Sequence, residues 1–377
     1  MARVTGDGNG ESPSCAKSVC CARNDLRRRR FAHTLSALRG VPARVCSSIF
    51  NQDPRRMTRK IVVLDPITPQ TAERMRELLP AGLTLQHATS RDAAHLHDIV
   101  ADADYLVSGQ VAVGRELMAA AKQAKLLHKW GVGVDNFDLE AAKAQGITVA
   151  RTTASNAKPV AEAALGLTIA LLRNLAWGHT SLRGGDWRPM SLPKPSYSLF
   201  GKTVGIIGFG AIGQNFARLL RPFGGRILYN KTRQLEAAEE AELGVSFASL
   251  QEILRDADVV SLHCPLTPQT RGMINREALR GMKPTAVLIN VARGGVVVES
   301  DLAEALKAKE ILGAAMDVYE EEPTPPSNPL LGLENAICTP HIAAMAADNF
   351  APTINQMFGN IDRFNRGEPV AEADFVC

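Results

Sequence analysis

The 377-residue chain is short of three things: long apolar runs, cysteine, and charge of one sign. No apolar run approaches 18 residues, so no stretch of sequence has the length and composition of a membrane-crossing helix. Seven cysteines over 377 residues are too sparse for a disulfide scaffold. The net charge of +4 is too small to imply an acidic partner unless it is spread over the fold. What is present is a hydrophobic fraction of 45%, ordinary for a globular protein, and a length that fits two domains.

The charge is not spread. Residues 1–56 hold ten Arg and one Lys against four acids, a net of +7, whereas the remaining residues hold 32 basic and 35 acidic groups, a net of −3. This leader has no helical or strand periodicity and contains the block Arg27-Arg28-Arg29-Arg30. A segment of that composition buries too little apolar surface to offset its ordering entropy. It reads as a disordered tail, or as residues ahead of a true start at Met57, which directly precedes the first strand. A targeting peptide fits less well, because an apolar h-region is missing and four acids are present. Arginine blocks also bind phosphates, but nothing in the body supports a nucleic-acid partner. Cys15, Cys20, Cys21 and Cys46 lie in the leader without a second ligand pair at zinc spacing, so no metal is expected. The body keeps Cys264, Cys338 and Cys377, a usage that suits a reduced cytoplasmic protein.

From Lys60 the texture becomes that of an α/β fold. Ile61–Leu64 reads as a buried strand and Thr71–Leu79 as a helix. Strands at Tyr105–Ser108, Leu126–Lys129 and Thr148–Ala150 alternate with helices near Arg115–Ala124 and Leu139–Gln145, which argues for a parallel sheet. Pro159–Leu172 is apolar but too short to span a membrane. A Gly/Pro-rich passage over Gly184–Gly201 precedes a second βα series that runs to about residue 340.

The second series opens on a strand, Thr203–Ile207, followed by G-F-G-A-I-G with glycines at Gly208, Gly210 and Gly213 and then a helix, Gln214–Leu220. The first glycine allows a tight turn, the second lets backbone approach a pyrophosphate, and the third packs helix on strand. The helix N-terminus then offers free N–H groups to the phosphates. The strand–turn–helix context is what makes the motif specific for a dinucleotide. The next strand, Arg226–Tyr229, ends at Asn230, where NAD-binding folds commonly carry an acid for the ribose 2′-OH. Asn230 removes that charge, and Lys231 and Arg233 follow it as candidate ligands of a 2′-phosphate. We therefore expect NADP(H) to be preferred, with NAD(H) possible.

Three polar residues stand beyond later strands: Arg293 in Ala292-Arg293-Gly294-Gly295, an acidic group in the run Asp317 to Glu322, and His341 after Pro340. Each singly could be a surface residue. Together with the glycine turn they resemble the D-isomer-specific 2-hydroxyacid dehydrogenase family over roughly residues 60–370. The resemblance is carried by W-G-V-G-V-D-N (130–136), S-N-A-K-P-V-A-E (155–162), H-C-P-L-T-P-Q-T-R-G-M-I (263–274), N-V-A-R-G-G (290–295), A-M-D-V-Y-E-E-E-P (315–323) and T-P-H-I (339–342). Within the family the body is most similar to glyoxylate/hydroxypyruvate reductases.

The resemblance implies two Rossmann-like domains with parallel sheets, the coenzyme domain inserted into a flavodoxin-like substrate domain. It divides the chain into the leader (1–58), a substrate-binding catalytic domain (59–157 plus 343–377) and an NAD(P)-binding domain (158–342). His341 would be the general acid, Glu322 its partner, and Arg293 the clamp on the carboxylate of a small 2-keto or 2-hydroxy acid. A neighbouring carboxylate favours the imidazolium form, which keeps a proton at hand. Val132 and Gly133 would offer backbone N–H groups to the same carboxylate. Val132, Ala211, Ile212, Cys264, Pro265, Val291, Ala292 and Asp317 match positions lining the dinucleotide, Asp317 at its nicotinamide carboxamide. A homodimer in contact through Pro159–Leu172 is also implied, although that apolar composition equally fits core. On residues alone Glu320 and Glu321 compete with Glu322, and His263 is a rival histidine read as structural. Ala343-Ala344 stand where the family shows Gly or Ser, and Ala154–Pro159 departs from commoner loop sequences. The competing functions are an NAD-linked phosphoglycerate dehydrogenase-like enzyme and a non-catalytic dinucleotide sensor of the same fold.

Overall fold

The computed structural model describes residues 58–377. The basic leader, its four cysteines and Met57 lie outside the described residues.

The first sheet is built from β1 (Arg59–Val63), β2 (Leu83–His87), β3 (Tyr105–Ser108), β4 (Leu126–Lys129) and β5 (Thr148–Arg151). All neighbours are parallel and the order is β2-β1-β3-β4-β5. Four helices connect them: α1 (Pro69–Glu77), α2 (Ala93–Val100), α3 (Arg115–Ala120) and α4 (Leu139–Gln145). The caps explain two of the boundaries. Thr68 accepts the Thr71 N–H ahead of Pro69 at the first turn of α1. Asp138 caps α4, which Gly146 ends in a left-handed conformation at φ 67°. Alternate residues of β1 go to opposite faces, as strand geometry requires. Val62 packs with Leu96, Ile99, Leu117 and Ala141, while Ile61 and Val63 pack with Met75, Ile354, Met357 and Phe358. The last three belong to α12 (Phe350–Asn365), so the end of the chain returns to cover the first sheet.

Between these two visits runs the second series. It starts with α5 (Ala157–Leu172) and α6 (Leu175–Arg183). Then come β6 (Val204–Ile207), α7 (Ala211–Leu220), β7 (Ile227–Asn230), α8 (Ala237–Leu243), β8 (Ser246–Phe247), α9 (Leu250–Asp256) and β9 (Val259–Leu262). It closes with α10 (Arg276–Arg280), β10 (Val287–Asn290), α11 (Glu299–Lys307), β11 (Gly313–Met316) and β12 (Ala336–Cys338). These seven strands form a parallel sheet in the order β12-β11-β10-β9-β6-β7-β8. The order reverses between β6 and β9, which opens the crevice where open α/β sheets bind ligands. In the first sheet the reversal falls between β1 and β3. There the buried Asp65 carboxylate accepts the N–H groups of Gly109, Gln110 and Val111 and fixes the loop after β3.

One helix differs from its sequence expectation for a physical reason. Helix α7 begins at Ala211 rather than Gln214, because Gly210 is its N-cap and Gly213 lies inside its first turn. Helix α5 turns Val160, Ala161, Ala164 and Leu171 into the core of the seven-stranded sheet beside Phe216. The exposed apolar side chains near it sit on α6 and in the passage after it: Leu175, Leu182, Trp187 and Met190. No single helix among the described residues is long and apolar enough to cross a membrane. The pair α5 and α6 reaches that length only together, across a 66° bend.

Candidate active site

The glycine turn is laid out as a phosphate cradle. Gly208 has φ 94°, and a side chain there would meet the Cys264 backbone nitrogen at 2.3 Å, across the switch point. Only a residue without Cβ lets β6 and the loop after β9 approach so closely. A Cβ on Gly213 would stand 2.5 Å from the Gly208 carbonyl oxygen, which ties helix to turn. At Gly210, by contrast, a Cβ would point into open space, with nothing within 4 Å. That space lies at the N-terminus of α7, which no side chain caps. Its first residues, Ala211 and Ile212, present unpaired N–H groups there. The residues fit a bound dinucleotide phosphate on these grounds.

Asn230 ends β7, and its side-chain nitrogen donates to the Ala248 carbonyl at 2.8 Å. Lys231 is half-buried and Arg233 exposed. Among the described residues Arg233 pairs with Glu236, at 3.7 Å with both side chains mostly in solvent, a pairing too weak to hold it. Farther along the crevice, Cys264, Val291 and Ala292 are buried and Pro265 is exposed. Burial pushes the Cys264 thiol up to about 11, so it is a neutral wall and not a nucleophile.

The polar residues after β10, β11 and β12 converge on one cavity of about 520 Å³, which the loops after β3 and β4 also line. His341 Nδ1 stands 2.7 Å from Glu322 Oε2, and the residue lines the cavity. Burial alone would raise the Glu322 carboxyl. The hydrogen bond and charge of His341, the Tyr319 N–H and Arg293 outweigh it and hold the group below the ordinary carboxylate range. His341 has φ 54°, a left-handed backbone that non-glycine residues adopt only when their surroundings enforce it. Asp317 supplies the enforcement. Its buried carboxylate accepts Thr339 Oγ1 at 2.6 Å and the N–H groups of Ile342 at 2.9 Å and Ala343 at 2.8 Å. The family resemblance gives Asp317 a cofactor contact; its visible work is to anchor the His341 loop.

The run of three glutamates sorts itself by contacts. Glu320 accepts the Glu299 N–H at 3.0 Å, and Glu299 in return receives the Glu320 N–H and the Asn328 amide. Glu321 is exposed, and Glu322 alone of the three bonds His341. His263 does not line the cavity. Its Nε2 bonds Ser261 Oγ at 2.9 Å, its ring lies against Phe216, and burial lowers it to about 3.

Arg293 is reached from both sheets. Its Nη1 donates to the Ala292 carbonyl at 2.7 Å and its Nε to Asp135 Oδ1 at 2.9 Å. Gly133 is where it approaches the loop after β4; a Cβ there would lie 1.7 Å from Arg293 Nη2. The N–H groups of Val132 and Gly133 make no backbone hydrogen bond among the described residues. Gly294 packs as tightly on the other side, a Cβ falling 1.8 Å from the Tyr319 carbonyl carbon. Two further residues of the cavity escape sequence reasoning, Asp135 and Lys129. The Lys129 ammonium donates to the Gly109 carbonyl and to Asn136 Oδ1, and burial, with Arg293 adding, lowers it to about 8.

A fork of guanidinium donors, an imidazole backed by a carboxylate and a phosphate cradle along one crevice suit hydride chemistry on a small carboxylate. Residues 165–343 match the model of the D-isomer specific 2-hydroxyacid dehydrogenase NAD-binding domain. A glyoxylate reductase of Korarchaeum cryptofilum is 39% identical over 274 residues, 71% of this chain and 82% of that one. A D-3-phosphoglycerate dehydrogenase of Methanocaldococcus jannaschii is also 39% identical, over 76% of this chain. The chain spans about half of that relative's length, 53%. Among solved structures, an NADPH-dependent glyoxylate/hydroxypyruvate reductase of Sinorhizobium meliloti, in complex with NADP and malonate, superposes with a TM-score of 0.73 at 31% identity. The match covers 85% of this chain and 98% of that one. The chain belongs to the D-isomer specific 2-hydroxyacid dehydrogenase family.

Proposed function

We propose that the protein reduces a small 2-keto acid of the glyoxylate or hydroxypyruvate type to the 2-hydroxy acid, with NADP(H) preferred over NAD(H). The observation that carries this reading is the His341–Glu322 pair at 2.7 Å on the same cavity as the Arg293 fork. When bound, the reduced nicotinamide supplies a hydride to the keto carbon. Arg293 grips the substrate carboxylate with planar donors and draws density from the adjacent carbonyl. The Val132 and Gly133 N–H groups meet the same carboxylate. His341 Nε2 gives its proton to the carbonyl oxygen as charge develops there, and Glu322 steadies the imidazolium before transfer.

Cofactor choice rests on the turn after β7. An acid at position 230 would repel a 2′-phosphate, whereas Asn230 with Lys231 and Arg233 beyond it accepts one. The test is a panel of glyoxylate, hydroxypyruvate and phosphohydroxypyruvate with both cofactors, followed at the nicotinamide absorbance. Asn230→Asp should shift the NADPH/NADH ratio of kcat/KM toward NADH by about tenfold, the worth of one charged hydrogen bond. A wild type that clearly prefers NADH would overturn the NADP reading. Preference for phosphohydroxypyruvate would favour the phosphoglycerate dehydrogenase-like alternative, which the Methanocaldococcus relative supports. Tight cofactor binding without turnover of any keto acid would favour the sensor.

We further propose a cytoplasmic homodimer. Among the described residues, the free cysteines Cys264, Cys338 and Cys377 support the compartment, and the exposed Leu182, Trp187 and Met190 support a second copy as the cover of that face. Sedimentation equilibrium should return twice the chain mass. Replacing Trp187 and Met190 with Ser should shift it toward monomer, and an unchanged mass would remove that face from the interface.

A further inference from the structure

We infer that Asp135 is a positioning residue: it aims the Arg293 fork at the substrate carboxylate from across the cleft. The inference rests on the reading of Arg293 as the carboxylate clamp.

The two partners come from different sheets. Asp135 follows β4 in the five-stranded sheet, and Arg293 follows β10 in the seven-stranded one, 158 residues later. A guanidinium has five N–H donors in a rigid plane, so fixing two of them fixes the direction of the rest. Asp135 Oδ1 takes Nε–H at 2.9 Å, and the Ala292 carbonyl takes one Nη1–H at 2.7 Å. The remaining Nη1–H and both Nη2–H groups are left for a ligand, and Nη2 lies against Gly133. The donors of Arg293 and the backbone N–H groups of Val132 and Gly133 thus meet at one seat only while the Nε edge is held. An arginine side chain left free has rotamer entropy that binding would have to overcome. Asp135 is ionised for this work. Burial would raise its carboxyl, but the charge and hydrogen bond of Arg293, with Lys129 behind, hold it below the usual range.

Simple Coulomb reasoning predicts the opposite outcome, which makes the idea testable. Asp135 is an anion beside an anion seat, so if charge alone mattered, removing it would tighten carboxylate binding. Positioning predicts that Asp135→Ala loosens it. Asp135→Asn keeps an acceptor for Nε–H without the charge and should rescue.

The test uses the full chain with cofactor bound and oxalate as an unreactive probe, titrated by calorimetry, together with steady-state reduction of the best keto acid. Asp135→Ala should weaken oxalate and raise KM by about tenfold or more, as loss of one charged hydrogen bond would. Its kcat should fall as well, since the same donors polarise the carbonyl, while its cofactor Kd stays unchanged, which also reports an intact fold. Asp135→Asn should bind oxalate at least as tightly as wild type. Equal or tighter binding in Asp135→Ala overturns the inference, and so does an Asn variant as weak as the Ala one. A wild type that binds no oxalate at all overturns the clamp reading itself, and the inference falls with it.

Discussion

His341→Ala is expected to lower kcat by roughly 10²–10⁴-fold, the range over which a positioned general acid contributes. The geometry argues for the whole effect falling on the chemical step. Among the described residues His341 has no hydrogen-bond partner at Nε2, and Nδ1 is spent on Glu322 at 2.7 Å. The loop that carries it is pinned from below by Asp317 through Thr339, Ile342 and Ala343, none of which uses the imidazole. Removing the ring should therefore leave the loop, the cofactor crevice and the Arg293 fork in place. Cofactor Kd and substrate KM should change little while kcat collapses, the signature of an interaction made in the transition state. Glu322→Gln provides the companion measurement. It keeps an acceptor for Nδ1 but removes the carboxylate charge beside the ring, so kcat should fall while cofactor Kd holds. A His341→Ala enzyme with near-normal kcat would sink the general-acid assignment and turn attention to water in the cavity.

Much of this site is legible in the sequence because open α/β sheets put function at strand ends. Gly208, Cys264, Arg293, Asp317 and His341 each follow an apolar strand and are found beyond its carboxyl end, and Asn230 closes β7. Periodicity and glycine spacing also announce both βα series. What the sequence does not announce are pairings between distant strand ends. Asp135 and Arg293 meet across 158 residues, and each alone reads as a surface charge. Lys129 sits in an apolar stretch where its position on β4 predicts a strand, not a buried ammonium between Gly109 and Asn136. Among three consecutive glutamates, composition offers no distinction. It takes the reciprocal Glu299–Glu320 bonds to turn Glu320 away and leave Glu322 for His341. The start of α7 at Ala211 shows the same limit at short range. Gly213 reads as the packing glycine, but only its place after the Gly210 N-cap shows that it lies inside the helix.

The second large effect is expected at Arg293. Arg293→Lys should cost roughly 10²-fold in kcat/KM, because charge is kept while the fork is lost and hydrogen bonds to charged groups contribute about 1.5–3 kcal/mol each. In the wild type one planar group serves three directions at once: Asp135 with Nε, the Ala292 carbonyl with Nη1, and the cavity with what remains. A lysine ammonium is a single point with no plane. Drawn toward Asp135, it leaves the substrate seat, and held at the seat, it leaves Asp135 and the Ala292 carbonyl without their donor. Crowding sharpens the prediction. With a Cβ on Gly133 only 1.7 Å from Nη2, the pocket is shaped to a guanidinium lying flat against a bare backbone. Gly133→Ala should therefore push the Arg293 fork out of its plane and imitate the lysine variant without touching the charge. Both changes should raise KM and lower kcat together, since the same donors hold the carboxylate and polarise the carbonyl. A lysine variant within about threefold of wild type would mean that charge alone suffices, and the bidentate clamp would have to be abandoned.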